Sequence, residues 1–159
     1  MALKDIKARL RDRMQTVAGV TKVYTYCRNL TAEVDASQLM AADGKFHFWQ
    51  MYRESSDLTD LVVNQEFTEQ EDTLVIEGFY GVKDADDSDE TFDGIIDAVL
   101  QAINNDRRAG PNGTKLNGTV QTAGAPARRS SSRYVMVGPN QVLCHHAEIV
   151  IKVTPRYLQ

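Results

Sequence analysis

The sequence predicts an α+β fold in which helices pack on a mainly antiparallel sheet, and two neighbouring patterns carry that prediction. Residues 71–82, EDTLVIEGFYGV, are rich in β-branched and aromatic side chains, as in a strand. After an acidic turn, the apolar residues recur at helical spacing: Phe92, Ile95, Ile96, Val99, Leu100 and Ile103. An apolar strand face next to an amphipathic helix is the seed of a two-layer α+β domain.

Two helices are expected. The second spans residues 89–104, and Ser88 is the candidate N-cap because its hydroxyl can accept a backbone N–H of the first turn. The first spans residues 2–16, where a narrow apolar seam steps by three and four: Leu3, Ile6, Leu10, Met14 and Val17. Both helices need a sheet to cover their apolar faces, so we expect them to pack on it.

The remaining strands follow from alternation and turn signals. Alternating side chains predict strands at residues 45–53 and 142–154, and shorter strands are expected at 21–27, 134–137 and near 119–122. Residues 57–65 fit either one helical turn or an extended edge, and residues 29–44 are typical of a connection. At 159 residues the chain is long enough for one real core, so residues 1–159 are expected to form one domain, and no internal repeat is seen.

One long loop is predicted at residues 105–133. The segment holds many Gly, Ser, Pro and Asn residues and few large apolar ones, so little ties it to a core. It carries six basic side chains against one acidic side chain, Asp106. We therefore expect a mobile basic loop that docks on an acidic surface of a neighbouring protein. The residues expected to bind the partner are Arg107, Arg108, Arg128 and Arg129, because Arg pairs carboxylates bidentately.

Charge is sorted into blocks along the chain, although the net charge is only −4. Residues 1–28 carry seven basic and two acidic side chains, whereas residues 54–97 carry fifteen acidic side chains and one lysine, Lys83. Each block alone is compatible with a solvated surface. Together they favour complementary contacts between copies of the chain or with other proteins.

Composition also bounds the compartment. No apolar run approaches the ~20 residues that span a bilayer, and basic residues interrupt the N-terminal segment, so neither a membrane span nor a signal peptide is expected. Cys27 and Cys144 are far apart in sequence. In a reducing compartment they are expected to be buried thiols rather than a disulfide.

No catalytic or metal motif is evident, so no enzyme activity, metal or cofactor is expected. Cys144 and His146 can converge on one strand face, and His47 could join them if its strand pairs nearby, but structural zinc wants four ligands at recognisable spacings. A nucleophile elbow, a phosphate loop and a dinucleotide fingerprint are all missing. Without aromatic residues among the basic ones, sequence-specific nucleic-acid binding is not expected.

The order of motifs resembles that of the tail terminator proteins of long-tailed bacteriophages, the group like the lambda tail terminator. The resemblance covers most of the chain and rests on an N-terminal amphipathic helix followed by five segments. These segments are GVTKVYTY at 19–26, FWQMYR at 48–53, LVIEGFY at 74–80, the Ser-led helix SDETFDGIIDAV at 88–99, and HAEIVIKV at 146–153.

The resemblance implies a structural virion protein, assembled in the host cytoplasm, that forms a homohexameric ring on the finished tail tube. Such a ring ends tube polymerisation and presents a surface to the head–tail connector, and DNA passes through its lumen without sequence recognition. An acidic lumen would repel phosphates and let DNA slide. Two alternatives remain open: another neck or connector adaptor protein, and a small metal- or ligand-binding enzyme domain using His47, Cys144 and His146.

Overall fold

The computed structural model describes residues 2–28, 39–40, 45–60, 68–82, 87–108, 120–129, 134–138 and 141–155. These residues form two helices and seven strands. In chain order the elements are α1 (Ala2–Met14), β1 (Val23–Tyr24), β2 (His47–Asp60), β3 (Thr68–Gly81), α2 (Ser88–Arg108), β4 (Val120–Ala123), β5 (Ala127–Arg129), β6 (Tyr134–Val137) and β7 (Val142–Pro155).

The strands form one mainly antiparallel sheet, so the predicted α+β fold is confirmed. Its order is β1-β2-β3-β7, and β4, β5 and β6 pair one after another with successive parts of β7. The pairing of β1 with β2 is parallel and every other pairing is antiparallel. The three short strands therefore run along β7 like one interrupted strand.

Both helices pack on the same face of the sheet, as the two-layer prediction requires. The α2 stripe is buried at Phe92, Ile96, Val99 and Ile103, and α1 buries Ile6, Leu10 and Met14 beside it. The sheet contributes every second side chain of its long strands to this layer: Trp49, Met51, Leu74, Ile76, Tyr80, Ala147, Ile149, Ile151 and Val153. This alternation follows directly from the pleat.

The opposite face of the sheet, here called the open face, is half apolar and half polar. A small cluster of Leu39, Phe48, Phe79, Val137 and Cys144 is buried at one end. The polar side chains Gln50, Glu77, His146 and Glu148 share this face because their positions alternate with those of the helix-facing residues. Neither α1 nor α2 packs on this side.

Strands β2 and β3 form a hairpin that extends past the rest of the sheet. They pair from His47 with Tyr80 to Asp60 with Thr68, whereas the pairing of β3 with β7 begins only at Asp72. Residues 54–60 and 68–71 therefore make a two-stranded extension, here called the acidic ribbon. A register shift between Arg53 and Ser55 marks its base.

The main sequence-based boundary errors lie in the predicted basic loop. Helix α2 continues to Arg108, so Arg107 and Arg108 belong to the helix and not to the loop. The strand expected near 119–122 is confirmed as β4, and β5, which includes Arg128 and Arg129, was not predicted. Residues 109–119 and 130–133 of the predicted loop lie outside the described residues, so its mobility remains a prediction.

Smaller differences occur elsewhere. Helix α1 ends at Met14 instead of residue 16, and the strand expected at 21–27 is reduced to two residues. Of the ambiguous segment 57–65, residues 57–60 are extended in β2, and the rest lies outside the described part of the chain. The predicted connection at 29–44 also lies largely outside it.

The start of α2 differs in one detail from the capping prediction. The carbonyl of Asp87 accepts the hydrogen bond of the Thr91 amide, so Asp87 occupies the N-cap position, in a left-handed conformation with φ of 48°. Ser88 is the first helical residue, and its hydroxyl is hydrogen-bonded to His145 on β7. This bond ties the beginning of the helix to the sheet.

Across the described ranges, neither helix combines the length and apolar character that crossing a bilayer would require.

Candidate functional site

Three of the four arginines expected to bind a partner, Arg107, Arg128 and Arg129, already have partners within the chain. Arg107, in the last turn of α2, donates to the Asn104 side chain at 2.8 Å and to the carbonyl of Ala123 at 3.4 Å. It thereby joins the helix end to β4. The side chain of Arg108 lies outside the described part of the structure.

Arg128 and Arg129 point to opposite faces of β5. Arg128 pairs with Asp93 of α2 at 2.8 Å, and both side chains are about half exposed. Arg129 pairs with Glu148 at 2.7 Å and with Glu54, at the base of the acidic ribbon, at 2.8 Å. These bonds raise the pKa of the Arg129 guanidinium. The structure thus brings Arg128 and Arg129 to the sheet edge, on opposite faces of one strand, so these two do not form one site.

These contacts differ in how easily a partner could replace them. An exposed ion pair such as Arg128–Asp93 contributes only about 0–1 kcal/mol, so exchange for a partner's carboxylate costs little. Arg129 holds two carboxylates, and Glu148 is mostly buried. Arg129 is therefore placed as a structural bridge, and Arg128 is the more available of the two.

The alternative metal set of His47, Cys144 and His146 is wrong as a single site. His47 pairs with Tyr80, whose other neighbour is His145, and this row faces the helices. Cys144 and His146 point to the open face. The sheet therefore separates His47 from the other two. Burial raises the pKa of the Cys144 thiol to about 12, so it stays protonated at neutral pH.

The two cysteines were expected to be buried thiols without a disulfide, and burial holds for one of them only. Both thiols are free, and Cys144 is buried as expected, but Cys27 is exposed. Burial also raises the pKa of Cys27, with a further contribution from the charge of Glu77. Neither thiol is thus activated as a nucleophile.

A buried polar network on the helix-facing side contains the residue types of a hydrolytic triad. Ser88 Oγ lies 2.8 Å from His145 Nε2, and Asp89 Oδ1 lies 3.8 Å from His145 Nδ1. The second distance is too long for a hydrogen bond, and both Ser88 and His145 are buried. The geometry therefore fits anchoring of α2 to β7, with no accessible nucleophile.

A second polar cluster, here called the open-face cluster, consists of Glu77, His146 and Glu148. Ligand-type atoms of these three side chains lie within 4.8 Å of one another. Gln50 Nε2 donates to Glu77 at 3.3 Å, and Arg129 Nε donates to Glu148 at 2.7 Å. His146 lowers the pKa of Glu77 against the opposing effect of burial, with help from Gln50 and Tyr52. The lowered pKa keeps Glu77 ionised at neutral pH.

The basic block of residues 1–28 is partly used inside the fold. Arg9 and Arg13 of α1 both bind the buried Asp106 of α2, at 2.7 and 2.8 Å. Two further lysines of the block line a groove beside α1 of about 250 Å³, which is formed by Leu3, Lys4, Lys7 and Thr25. Burial, with Arg53 nearby, lowers the pKa of Lys7. The groove combines apolar walls with two ammonium groups.

Of the acidic side chains that the structure describes in residues 54–97, most are at least partly exposed. Every described side chain from Arg53 to Thr59 is exposed, and Leu58 is 70% exposed. Asp57 stands opposite Glu71 on the ribbon, so like charges face each other there. Asp57 and Glu69 have no hydrogen bond or ion pair to any residue that the structure describes. Lys152 lies 3.7 Å from Glu71.

Three further apolar side chains are exposed on the β6–β7 hairpin. Tyr134, Met136 and Leu143 are 46%, 56% and 44% exposed. Met136 is paired with Leu143, and Tyr134 with His145, so all three side chains share one face at the margin of the sheet. Apolar groups gathered at a sheet margin are typical of surfaces that contact other proteins.

Sequence reasoning missed the open-face cluster and the ribbon for different reasons. The parity of Glu77 and of the pair His146 and Glu148 was visible, but only strand pairing brings them together. For the ribbon, the acidic run was visible, while its extension past β7 depends on sheet register. No protein-family model matches this chain, and no curated protein matches it significantly.

Proposed function

We propose that this protein is a structural, non-enzymatic virion protein of a long-tailed bacteriophage that caps the tail tube as a homohexameric ring. In this role it ends tube polymerisation and presents its other surface to the head–tail connector. The motif order that resembles tail terminators motivates the proposal. The α+β fold is compatible with this role. Two observations support it: the charged and apolar surfaces described above suit contacts with other proteins, and the described residues hold no accessible set of catalytic groups.

The observation that carries the proposal is the acidic ribbon. Two strands that extend past the rest of the sheet are marginally stable without further packing. In the ribbon the described β2 side chains are exposed, and Glu69, Gln70 and Glu71 of β3 are partly exposed. Asp57 and Glu69 have no counter-charge among the described residues, and Leu58 offers an apolar group to solvent. A neighbouring protein that covers the ribbon would supply both counter-charges and apolar contact.

The basic side of α1 supports self-association. The groove of Leu3, Lys4, Lys7 and Thr25 has the opposite charge to the ribbon and apolar walls. A closed ring needs two different surfaces that fit each other on successive copies. In our proposal the ribbon of one copy fits the groove of the next copy. The charges set the orientation of the two copies, and apolar contacts supply most of the affinity.

The same charge distribution suits DNA passage. Carboxylates of the acidic block that the groove does not cover would, where they line the lumen, repel phosphates, so DNA would pass without sticking. Arg128 of β5 can exchange Asp93 for a carboxylate of the tube protein or the connector. Localisation in the virion neck follows from this role.

Native mass spectrometry and electron microscopy of the purified protein, alone and with tail-tube protein, test the proposal. We expect a hexameric ring, alone or on the tube end, that is weakened but not abolished by high salt. A protein that stays monomeric at every concentration and with tube protein would overturn the proposal. A ring that binds the connector but never the tube would instead identify a neck adaptor.

A further inference from the structure

The open-face cluster has the donor set of a metal site. Glu77 and Glu148 are direct partners on neighbouring antiparallel strands, and His146 occupies the next position on the same face of β7. Two carboxylates directly opposite each other repel, and Arg129 offsets only part of their charge. A divalent cation between them would offset the rest.

The distances suit a small cation. His146 Nε2 lies 3.6 Å from Glu77 Oε2, close to the roughly 3.4 Å that separates two ligand atoms of a tetrahedral zinc site with bonds of ~2.1 Å. All three donor atoms lie within 4.8 Å of one another, so small side-chain rotations close the set. Their strands are held in register, which limits the reorganisation that binding needs.

The surroundings suit a bound ion as well. The three side chains are 11–16% exposed, so an ion can enter and its interactions are less screened than at the surface. Gln50 orients Glu77, and Phe79 lies against the His146 ring at 4.8 Å. Arg129 binds one oxygen of Glu148 and leaves the other for a metal. Such outer contacts tune metal affinity.

We propose that Glu77, His146 and Glu148 bind one zinc ion on the open face of the sheet. Imidazole with two carboxylates is a donor set that zinc accepts, whereas magnesium and calcium prefer oxygen ligands alone. Solvent completes the coordination. The site differs from the set of His47, Cys144 and His146, and it is independent of ring formation.

The test is zinc titration of the untagged full-length protein, by calorimetry and by equilibrium dialysis. A Cys27→Ser background removes the exposed thiol, which could bind zinc on its own. We expect one zinc per chain, at least tenfold weaker binding after Glu77→Gln or His146→Asn, and a ~10–100-fold loss after Gln50→Leu. The control Glu90→Gln, which removes an exposed carboxylate on α2 outside the site, leaves zinc binding unchanged.

A second readout keeps the result independent of folding defects. Cobalt bound at this site should show visible absorption of a four- or five-coordinate ion without a thiolate charge-transfer band, and circular dichroism checks that each variant is folded. If one ligand variant fails to fold, the other and Gln50→Leu decide the question. Absence of saturable zinc binding, or binding that persists at full strength in the folded variants, would overturn the proposal.

Discussion

The β2–β3 hairpin has two halves that share one backbone pairing but differ in what packs against their side chains. The proximal half consists of residues 47–53 and 72–81, and the distal half is the acidic ribbon. In the proximal half, Trp49 and Met51 lie under α1 and α2, and Phe48 is buried on the open face. In the distal half, the acidic ribbon, the described β2 side chains are all exposed. The backbone ladder is continuous apart from the register shift at the base.

The two halves differ in what they contribute: the proximal half stabilises the fold, and the distal half is accessible for binding another protein. The proximal half is buried, and hydrophobic burial is the dominant favourable term in folding, so changes there should lower the free energy of unfolding. The distal half buries little within the chain, so the same kind of change should leave that free energy almost untouched. If the proposed function is right, a change in the distal half should instead weaken binding to another copy of the chain.

The largest expected effect concerns the layer that covers the proximal half. Ile96→Asp places an unpaired carboxylate where Ile96 is fully buried between α2 and the sheet, and should lower the free energy of unfolding by roughly 3–5 kcal/mol. Urea denaturation followed by circular dichroism measures it. Ala98→Asp, on the exposed side of the same helix, is the control and should change little. Wild-type stability for Ile96→Asp would contradict the two-layer packing.

A smaller loss is expected where the proximal strands meet. Gly78 is paired with Trp49, and a Cβ added there would lie 2.6 Å from the indole ring. Trp49 is fully buried and cannot move aside, so Gly78→Ala should cost about 1–3 kcal/mol. The control is Gly94→Ala on α2, which meets nothing within 4 Å and should be neutral or stabilising. Equal stability of the two variants would show that the indole lies elsewhere.

The contribution of the ion pairs between α1 and α2 to the free energy of unfolding should depend on pH. Burial alone would raise the pKa of Asp106, but hydrogen bonds from Arg9 and Arg13 outweigh burial and lower it below its ordinary value of 3.8. The ionised carboxylate therefore stabilises the fold above that value, and the contribution is lost as pH falls through the lowered pKa.

Asp106→Asn should accordingly cost about 1–3 kcal/mol at pH 7 and progressively less in acid. Denaturation curves recorded from pH 7 down to pH 2 measure the difference between the two proteins. A difference that stays constant over this range would show that the charge of Asp106 contributes nothing to stability.

The local pattern of apolar residues in the sequence was enough to predict much of the fold. Periodicity located both helices and the long strands, because burial on one face leaves its period in the sequence. It failed where tertiary context decides. Arg128 and Arg129 look like loop residues in a Gly- and Ser-rich segment, yet they form a short strand because β7 offers a free ladder there.

The sites were less accessible to sequence reasoning. His47 and His146 both sit on alternating strands, but the strand order and register decide that they point to opposite faces. Glu77 and Glu148 are seventy-one residues apart, and only register makes them neighbours. Charge composition, by contrast, does not depend on topology, so the acidic and basic blocks were visible before the fold was known.

The smallest expected effect on stability belongs to the ribbon. A triple variant, Asp57→Asn, Leu58→Thr and Glu69→Gln, should change the free energy of unfolding by less than about 0.5 kcal/mol, because these side chains lie outside the core. Its matched control, Glu90→Gln with Asp97→Asn, also removes two negative charges, from the exposed face of α2.

The mass of the assembled species, measured by native mass spectrometry over a range of protein concentrations, tests the division between the two halves most directly. We predict hexamers, alone or with tail-tube protein, for the wild type and for the α2 control. Under the same conditions the ribbon variant should be mainly monomeric, with unchanged thermal stability. Hexamers that form as readily in the ribbon variant as in the wild type, or unfolding of that variant, would contradict the division between the two halves.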